Sequence, residues 1–135
     1  MDSNKILIIG AGLFGCSTAI ELKKAGMDVT LVEKNNDIML GASKWPPDNL
    51  INYDLINTSL KVLEPVFDYK IIKQNLMSSL SKYGVNLKLN YNFQGDVEAY
   101  DYVINTAYGN INDVNKALNL PTIDIKLQDV IVPIF

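Results

Sequence analysis

Histidine is absent from this sequence of 135 residues, and cysteine occurs once, as Cys16. The lack of histidine excludes Ser-His and Cys-His nucleophile pairs and most zinc sites, so we expect no metal centre. A single cysteine cannot form an intrachain disulfide, which favours a reducing compartment and predicts a cytoplasmic location. Any chemistry must come from a bound cofactor, from carboxylates, or from lysine and tyrosine.

Membranes and nucleic acids are disfavoured as partners. No apolar run approaches the roughly 18 to 20 residues that a membrane span needs. Twelve Lys and Arg stand against 15 Asp and Glu, for a net charge of −3, and the basic residues form no stripe. The apolar stretch after Lys5 and the Leu13–Cys16 segment loosely resemble a leader with a lipoprotein cleavage box. Asp2 offsets the positive charge that a leader requires, which argues against that interpretation.

A strand, a helix and a second strand are predicted within the first 33 residues. KILII at 5–9 is typical of a strand buried on both faces. Small and apolar residues recur at helical spacing over 13–25, and Gly26 is placed to end that helix. DVTLVE at 28–33 is β-branched and apolar, as in a strand. This βαβ unit predicts parallel strands with a right-handed crossover.

The rest of the sequence indicates an irregular segment followed by a second region of helices and strands. Residues 35–67 are irregular, with one short extended piece at 60–63, because Trp45-Pro46-Pro47 suits neither a helix nor a central strand. Four later elements are then predicted: a helix at 69–83 capped by Asp68, an alternating strand at 85–89, a buried strand at 102–105 and a short helix at 112–118. We therefore predict one α/β domain with a mainly parallel sheet in the order 85–89, 28–32, 5–9, 102–105.

The turn between the first strand and the helix fits the pattern G-x-G-x-x-G at Gly10, Gly12 and Gly15. In that pattern the first glycine allows a tight turn, the second lets the backbone approach a pyrophosphate, and the third lets helix and strand pack closely. Glu33 stands 23 residues after Gly10, where a carboxylate accepts hydrogen bonds from ribose hydroxyls and repels a 2′-phosphate. The pattern predicts FAD or NAD rather than NADP. The alternative is that the glycines only pack and that Glu33 is a surface acid.

Three other features each allow a functional and a structural interpretation. Gly41-Ala42-Ser43 offers amides and a hydroxyl to a cofactor, or forms a plain turn. The turn at 106–109 follows a strand whose carboxyl end would line the ligand crevice, or is a bare turn. Cys16 falls on the helix face that packs on the sheet, so we expect a buried structural thiol rather than a reactive or flavin-linked one.

The segment from Ile8 to Ser43 is similar to the opening of FAD-dependent oxidoreductases of the D-amino acid oxidase type. The Gly-Ala-Ser after the second strand favours this family over NAD-binding Rossmann proteins. The segments 64–89 and 100–112 also resemble it, and 125–135 looks like the start of a strand of its substrate domain. The resemblance implies a Rossmann-like fold, FAD as cofactor, and transfer of a hydride to the flavin from the carbon next to an amine.

By this resemblance, the three glycines hold the pyrophosphate, Glu33 holds the adenosine ribose, Ala42 and Ser43 lie near the phosphates or the flavin, and Gly109 closes the site from below. The candidate cofactor-binding residues are Gly10, Ala11, Gly12, Leu13, Phe14, Gly15, Glu33, Lys34, Ala42, Ser43 and Gly109. No catalytic or substrate-anchoring residue can be transferred from the family.

The chain departs from the family in length. Residues 44–67 stand where most of one half of the substrate domain would be inserted, and the sequence ends before the remaining substrate strands. We therefore expect the FAD-binding portion of an amine or amino-acid oxidoreductase, truncated and internally shortened, that needs a protein partner or a missing segment. The alternatives are a non-catalytic nucleotide-binding module or remnant, and an NAD-dependent oxidoreductase.

Overall fold

Four strands and three helices make up the part of the chain that the structure, a computed structural model, describes, which is residues 3–41 and 68–125. In chain order they are strand β1 (Lys5–Ile9), helix α1 (Leu13–Lys24), strand β2 (Asp28–Val32), helix α2 (Tyr69–Lys82), strand β3 (Asn86–Lys88), strand β4 (Tyr102–Asn105) and helix α3 (Ile111–Ala117), the last preceded by a 3₁₀ turn (Tyr108–Asn110).

The strands form one sheet in the order β3-β2-β1-β4, and every neighbouring pair is parallel. Ile8 lies opposite both Leu31 of β2 and Ile104 of β4. The predicted strand order and the Rossmann-like α/β class are confirmed. Strand β3 is shorter than the predicted 85–89, because Gly84 (φ +68) and Asn90 (φ +54) turn the chain out of the extended conformation on either side of it.

The sheet is buried on both faces, as the apolar run in β1 predicts. Ile6 and Ile8 pack with α1 and α2 on one face. Leu7 and Ile9 point to the other face, where residues from the 91–100 segment and from α3 cover them. The sequence did not predict any covering role for residues 91–100, which carry neither helical nor strand periodicity.

Helices α1 and α2 begin and end close to the predicted positions. α1 packs on the sheet through its small residues, Gly15, Cys16 and Ala19, which let the helix approach closely. The carboxylate of Asp68 accepts hydrogen bonds from the amides of Lys70 and Ile71 at 2.8 and 3.3 Å, so it caps α2 as predicted.

Helix α3 begins one residue earlier than predicted and follows the 3₁₀ turn, with Val114 buried against the sheet. Of the irregular segment predicted at 35–67, residues 35–41 contain neither helix nor strand, and the remainder, including 44–67, lies outside the described residues, as does all of the strand predicted at 125–135 except Ile125. Among the helices in the described ranges, none has both the length and the apolar character to cross a bilayer.

Gly15 gives a direct test of the packing between α1 and β1. A Cβ atom at Gly15 would lie 1.9 Å from the carbonyl oxygen of Gly10, whereas a Cβ at Gly12 would meet no atom within 4 Å in the part of the chain that the structure describes. We expect Gly15→Ala to lower the free energy of unfolding by about 1–3 kcal/mol, the usual cost of overpacking. Urea unfolding measures this, with Gly12→Ala as the matched control. Equal stability of the two variants would contradict the packing described here.

Candidate functional site

A cleft of about 590 Å³ opens at the carboxyl ends of the strands. Its walls come from the glycine turn and the first turn of α1, from the loop after β2, and from two later segments, 91–93 and 106–110. Ligand sites in proteins commonly measure about 300–1,000 Å³. In open parallel sheets the crevice beyond the carboxyl ends of the strands is where ligands bind.

The three glycines of the turn have different surroundings. Gly10 adopts φ +102, and an added Cβ would lie 2.9 Å from the carbonyl oxygen of Thr106. At Gly15 an added Cβ would collide with the Gly10 carbonyl. Gly12 lines the cleft, and a Cβ there would meet nothing within 4 Å among residues 3–41 and 68–125. Two of the glycines are therefore required by the protein's own packing, and the third keeps space free on the cleft side.

The amino end of α1 forms part of the cleft wall, because Gly12, Leu13 and Phe14 all line it. Within the described residues no side chain caps this helix end. The first amides of a helix have no partner inside the helix, and they carry the positive end of its dipole. This end of α1 is therefore suited to an anion.

Thr106 ties the end of β4 to the glycine turn. Its hydroxyl lies 2.9 and 2.8 Å from the carbonyl oxygens of Ile9 and Gly10, and its amide donates to the Ile9 carbonyl at 2.9 Å. Because this contact is what leaves no room for a side chain at Gly10, the turn at 106–109 helps to shape the glycine turn. The sequence placed these two turns at the same sheet edge but did not predict this contact.

Glu33 is held at the end of β2 by both its backbone and its side chain. Its amide donates to the carbonyl of Lys88 at 2.9 Å, and its carbonyl accepts from the amide of Tyr91 at 2.8 Å. Its Oε2 accepts from the amide of Ala11 at 2.8 Å, and its Oε1 accepts from the backbone amide of Asn35 at 3.0 Å. The carboxylate therefore joins the end of β2 to the glycine turn, a structural role that the sequence did not predict.

The loop after β2 runs along the cleft and is anchored by α2. The amide of Met39 donates to the carbonyl of Ala11 at 2.9 Å, and the hydroxyl of Tyr69 donates to the carbonyl of Met39 at 2.9 Å. The ammonium of Lys73 donates to the carboxylate of Asp37, which lowers the pKa of that carboxyl. These contacts keep the loop against the glycine turn.

Several candidate residues lie around the rim of the cleft. Lys34 is exposed and lines it, whereas Ala42 and Ser43 lie outside the described residues. Gly109 is exposed on the 3₁₀ turn, and its neighbours Tyr108 and Asn110, rather than Gly109 itself, line the cleft.

Residues 91–93 form a wall that sequence reasoning missed. Tyr91, Asn92 and Phe93 line the cleft beside the end of β2. The hydroxyl of Tyr91 donates to the carboxylate of Asp96, which raises the pKa of Tyr91. One feature of the sequence could have indicated this wall: Tyr91 and Phe93 closely follow β3, the strand that pairs with β2.

Cys16 faces away from the cleft and is completely buried. Its Sγ lies 3.4 Å from the carbonyl oxygen of Ala11. Burial, with a smaller contribution from the charge of Glu33, raises the pKa of this thiol to about 12. The thiolate is the reactive form of cysteine, so Cys16 is inert near neutral pH.

Comparison with known proteins matches residues 5–54 to a family described as FAD dependent oxidoreductase. The chain is 55% identical over 72 residues to 4,4′-diaponeurosporene oxygenase of Staphylococcus haemolyticus, which covers 51% of this chain and 14% of that protein. It is 57% identical over 35 residues to cinnamate reductase of Clostridium sporogenes, covering 26% and 5%. It is 54% identical over 33 residues to glycerol 3-phosphate dehydrogenase of Caloramator mitchellensis, covering 24% and 7%.

These matches show what the N-terminal part of the chain is similar to. Residues 5–54, which contain the βαβ unit, resemble FAD-dependent oxidoreductases, a family whose cofactor is FAD. The matched segments span no more than 14% of the length of these relatives. The family match at 5–54 includes the glycine turn and Glu33.

The burial of Cys16 predicts slow modification of its thiol. At pH 8 we expect an aromatic disulfide reagent to label the native protein at least about tenfold more slowly than the unfolded chain, because the thiolate is scarce and covered. The folded pKa lies above that of an unfolded thiol, so this thiol stabilises the fold at neutral pH and loses that effect as the pH rises towards 12. Equal labelling rates in native and unfolded protein would contradict the buried position.

Proposed function

We propose that the cleft binds FAD through its ADP half and that the chain is the nucleotide-binding part of a FAD-dependent oxidoreductase. The observation that carries this proposal is the space at Gly12. Among the described residues nothing packs against the place of a side chain at Gly12, and no side chain caps the end of α1 on which it lies, at the cleft wall. A pyrophosphate placed there would accept hydrogen bonds from amides that have no partner in the helix.

The remaining candidate residues take roles in keeping with their contacts. Gly10 and Gly15 give the turn its shape, and Leu13 and Phe14 supply amides at the helix end. The amide of Ala11 is already paired with Glu33 and holds that carboxylate in place. Lys34 contributes positive charge at the rim. Roles for Ala42, Ser43 and Gly109 near the phosphates or the flavin rest on family resemblance.

Glu33 is proposed to bind the ribose of the adenosine. Its carboxylate lines the cleft next to the glycine turn, and an ionised carboxylate offers about four lone-pair sites, of which three receive N–H donors from the protein. The remaining acceptor capacity suits a ribose hydroxyl. The same negative charge would repel a 2′-phosphate, which favours FAD over a 2′-phosphorylated dinucleotide.

The reaction proposed is oxidation of an amine or an amino acid. When bound, FAD supplies the acceptor for the hydride, and this chain's residues bind the cofactor and orient it. The choice of substrate rests on the resemblance to the D-amino acid oxidase type. We further propose a cytoplasmic location and a protein partner or further segment that completes the substrate site.

Replacing Gly12 tests the binding of FAD. We expect the purified chain to bind FAD, and Gly12→Ala to weaken that binding at least about tenfold, since a methyl group keeps the phosphates away from the amides and a hydrogen bond to a charged group is worth about 1.5–3 kcal/mol. Quenching of flavin fluorescence on titration measures the affinity. Ser17→Ala, an exposed position on α1 outside the cleft wall, is the control.

Two results of that titration, and one of a thermal-stability measurement, would count against the proposal. Wild-type affinity in Gly12→Ala would contradict the placement of the pyrophosphate. Failure of the unmodified chain to bind FAD would contradict the proposed function. Thermal stabilisation by NAD but not by FAD would favour an NAD-dependent enzyme instead.

Replacing Glu33 tests its proposed role at the ribose. We expect Glu33→Gln to narrow the preference for ADP over adenosine 2′,5′-bisphosphate by about tenfold, because a charge that repels the 2′-phosphate is removed. Glutamine keeps one oxygen for the amide of Ala11, which Glu33→Ala would leave unpaired inside the protein. Calorimetric titration with both nucleotides gives the ratio. Glu21→Gln, the control, removes the same charge from an exposed position. If Glu21→Gln reduced the preference for ADP as much as Glu33→Gln does, the proposed role of Glu33 at the ribose would be refuted.

A further inference from the structure

We propose that Asn35 is a positioning residue, which holds the carboxylate of Glu33 in the orientation that accepts hydrogen bonds from the ribose hydroxyls. The inference rests on the proposed function, because it concerns the same cleft. It adds a residue to which the resemblance gives no role. Asn35 lines the cleft and is half-buried, two residues after the acid that it contacts.

The backbone of Asn35 is fixed on both sides. Its amide donates to Oε1 of Glu33 at 3.0 Å, and its carbonyl accepts from the amide of Asn90 at 2.8 Å. The loop after β2 is thus joined to the segment that follows β3. A side chain that starts from a fixed backbone has few positions available, so the amide group of Asn35 stays next to Glu33.

The side chain of Asn35 completes the support of the carboxylate. Its Nδ2 donates to Oε1 of Glu33 at 2.7 Å, a short distance typical of a charge-assisted hydrogen bond. The amide of Ala11 holds the other oxygen at 2.8 Å. Because two elements hold the two oxygens, the plane of the carboxylate is set before any ligand arrives. Such preorganisation removes the entropic penalty of ordering a long side chain on binding.

Truncating the side chain isolates this contribution. Asn35→Ala removes the Nδ2 donor but keeps the backbone amide that donates to Glu33. Asn36→Ala is a matched control, since Asn36 is the same residue type at the next position, is exposed, and does not line the cleft. Asn35→Asp has the same size as the natural residue and places a second carboxylate against Glu33, so it should have the larger effect.

The experiment compares ADP with its 2′,3′-dideoxy analogue by calorimetric titration of the full chain. We expect the unmodified chain to bind ADP about tenfold or more tightly than the analogue, because the analogue lacks the hydroxyls that would donate hydrogen bonds to the charged carboxylate. Asn35→Ala should reduce this preference to about threefold or less, while Asn36→Ala keeps it. If Asn35 only maintained the structure of the loop, Asn35→Ala would weaken the binding of both ligands equally and leave the ratio of their affinities unchanged.

The outcomes separate this inference from the function on which it rests. An unchanged ratio in both Asn35→Ala and Asn35→Asp, with ADP still bound, would overturn the role of Asn35 and leave the proposed function standing. Failure of the unmodified chain to bind either nucleotide would overturn both. A reduced ratio in Asn35→Ala, with no effect of Asn35→Ala on the ratio when Glu33→Gln is already present, supports the inference, because Asn35 then acts through Glu33.

Discussion

The close approach of α1 to the end of β1 is the constraint on which the rest of the structure depends. With hydrogen in place of a side chain at Gly15, the helix reaches the carbonyl of Gly10, where even a methyl group would collide. That approach brings the amino end of α1 to the carboxyl edge of the sheet. The turn after β4 then packs on the same point through Thr106. The cleft exists because these three segments meet there.

The residues around the cleft serve the fold and the site together. Glu33 joins β2 to the glycine turn, and Met39 joins the following loop to the same turn. A rigid wall of this kind favours binding, because little needs to be ordered when a ligand enters. Gly12 differs from Gly10 and Gly15 because no described residue packs where its side chain would lie. A substitution at Gly12 therefore separates the requirements of a ligand from those of the fold most clearly.

Much of the fold followed from patterns local in sequence. The apolar run in β1, the spacing of small residues in α1 and the alternation at 85–89 are set by neighbours along the chain, and the βαβ rule then orders the strands. The features that the sequence did not predict depend on contacts between residues far apart along the chain. Two examples are the hydrogen bond from the amide of Ala11 to the carboxylate of Glu33 and the packing of residues 91–100 on the sheet. Neither leaves a periodic pattern in the sequence. Ala42 and Ser43, outside the described ranges, stay predictions.

Binding of the proposed cofactor at the glycine turn is tested most directly by observing which backbone amides respond to its ADP half. At 15.0 kDa, the chain suits two-dimensional NMR of its amide groups during titration with ADP. We expect the largest shifts at the glycine turn, at Leu13 and Phe14, and at 33–35. Shifts centred elsewhere on the protein, or no shifts at saturating ADP, would contradict binding at the glycine turn.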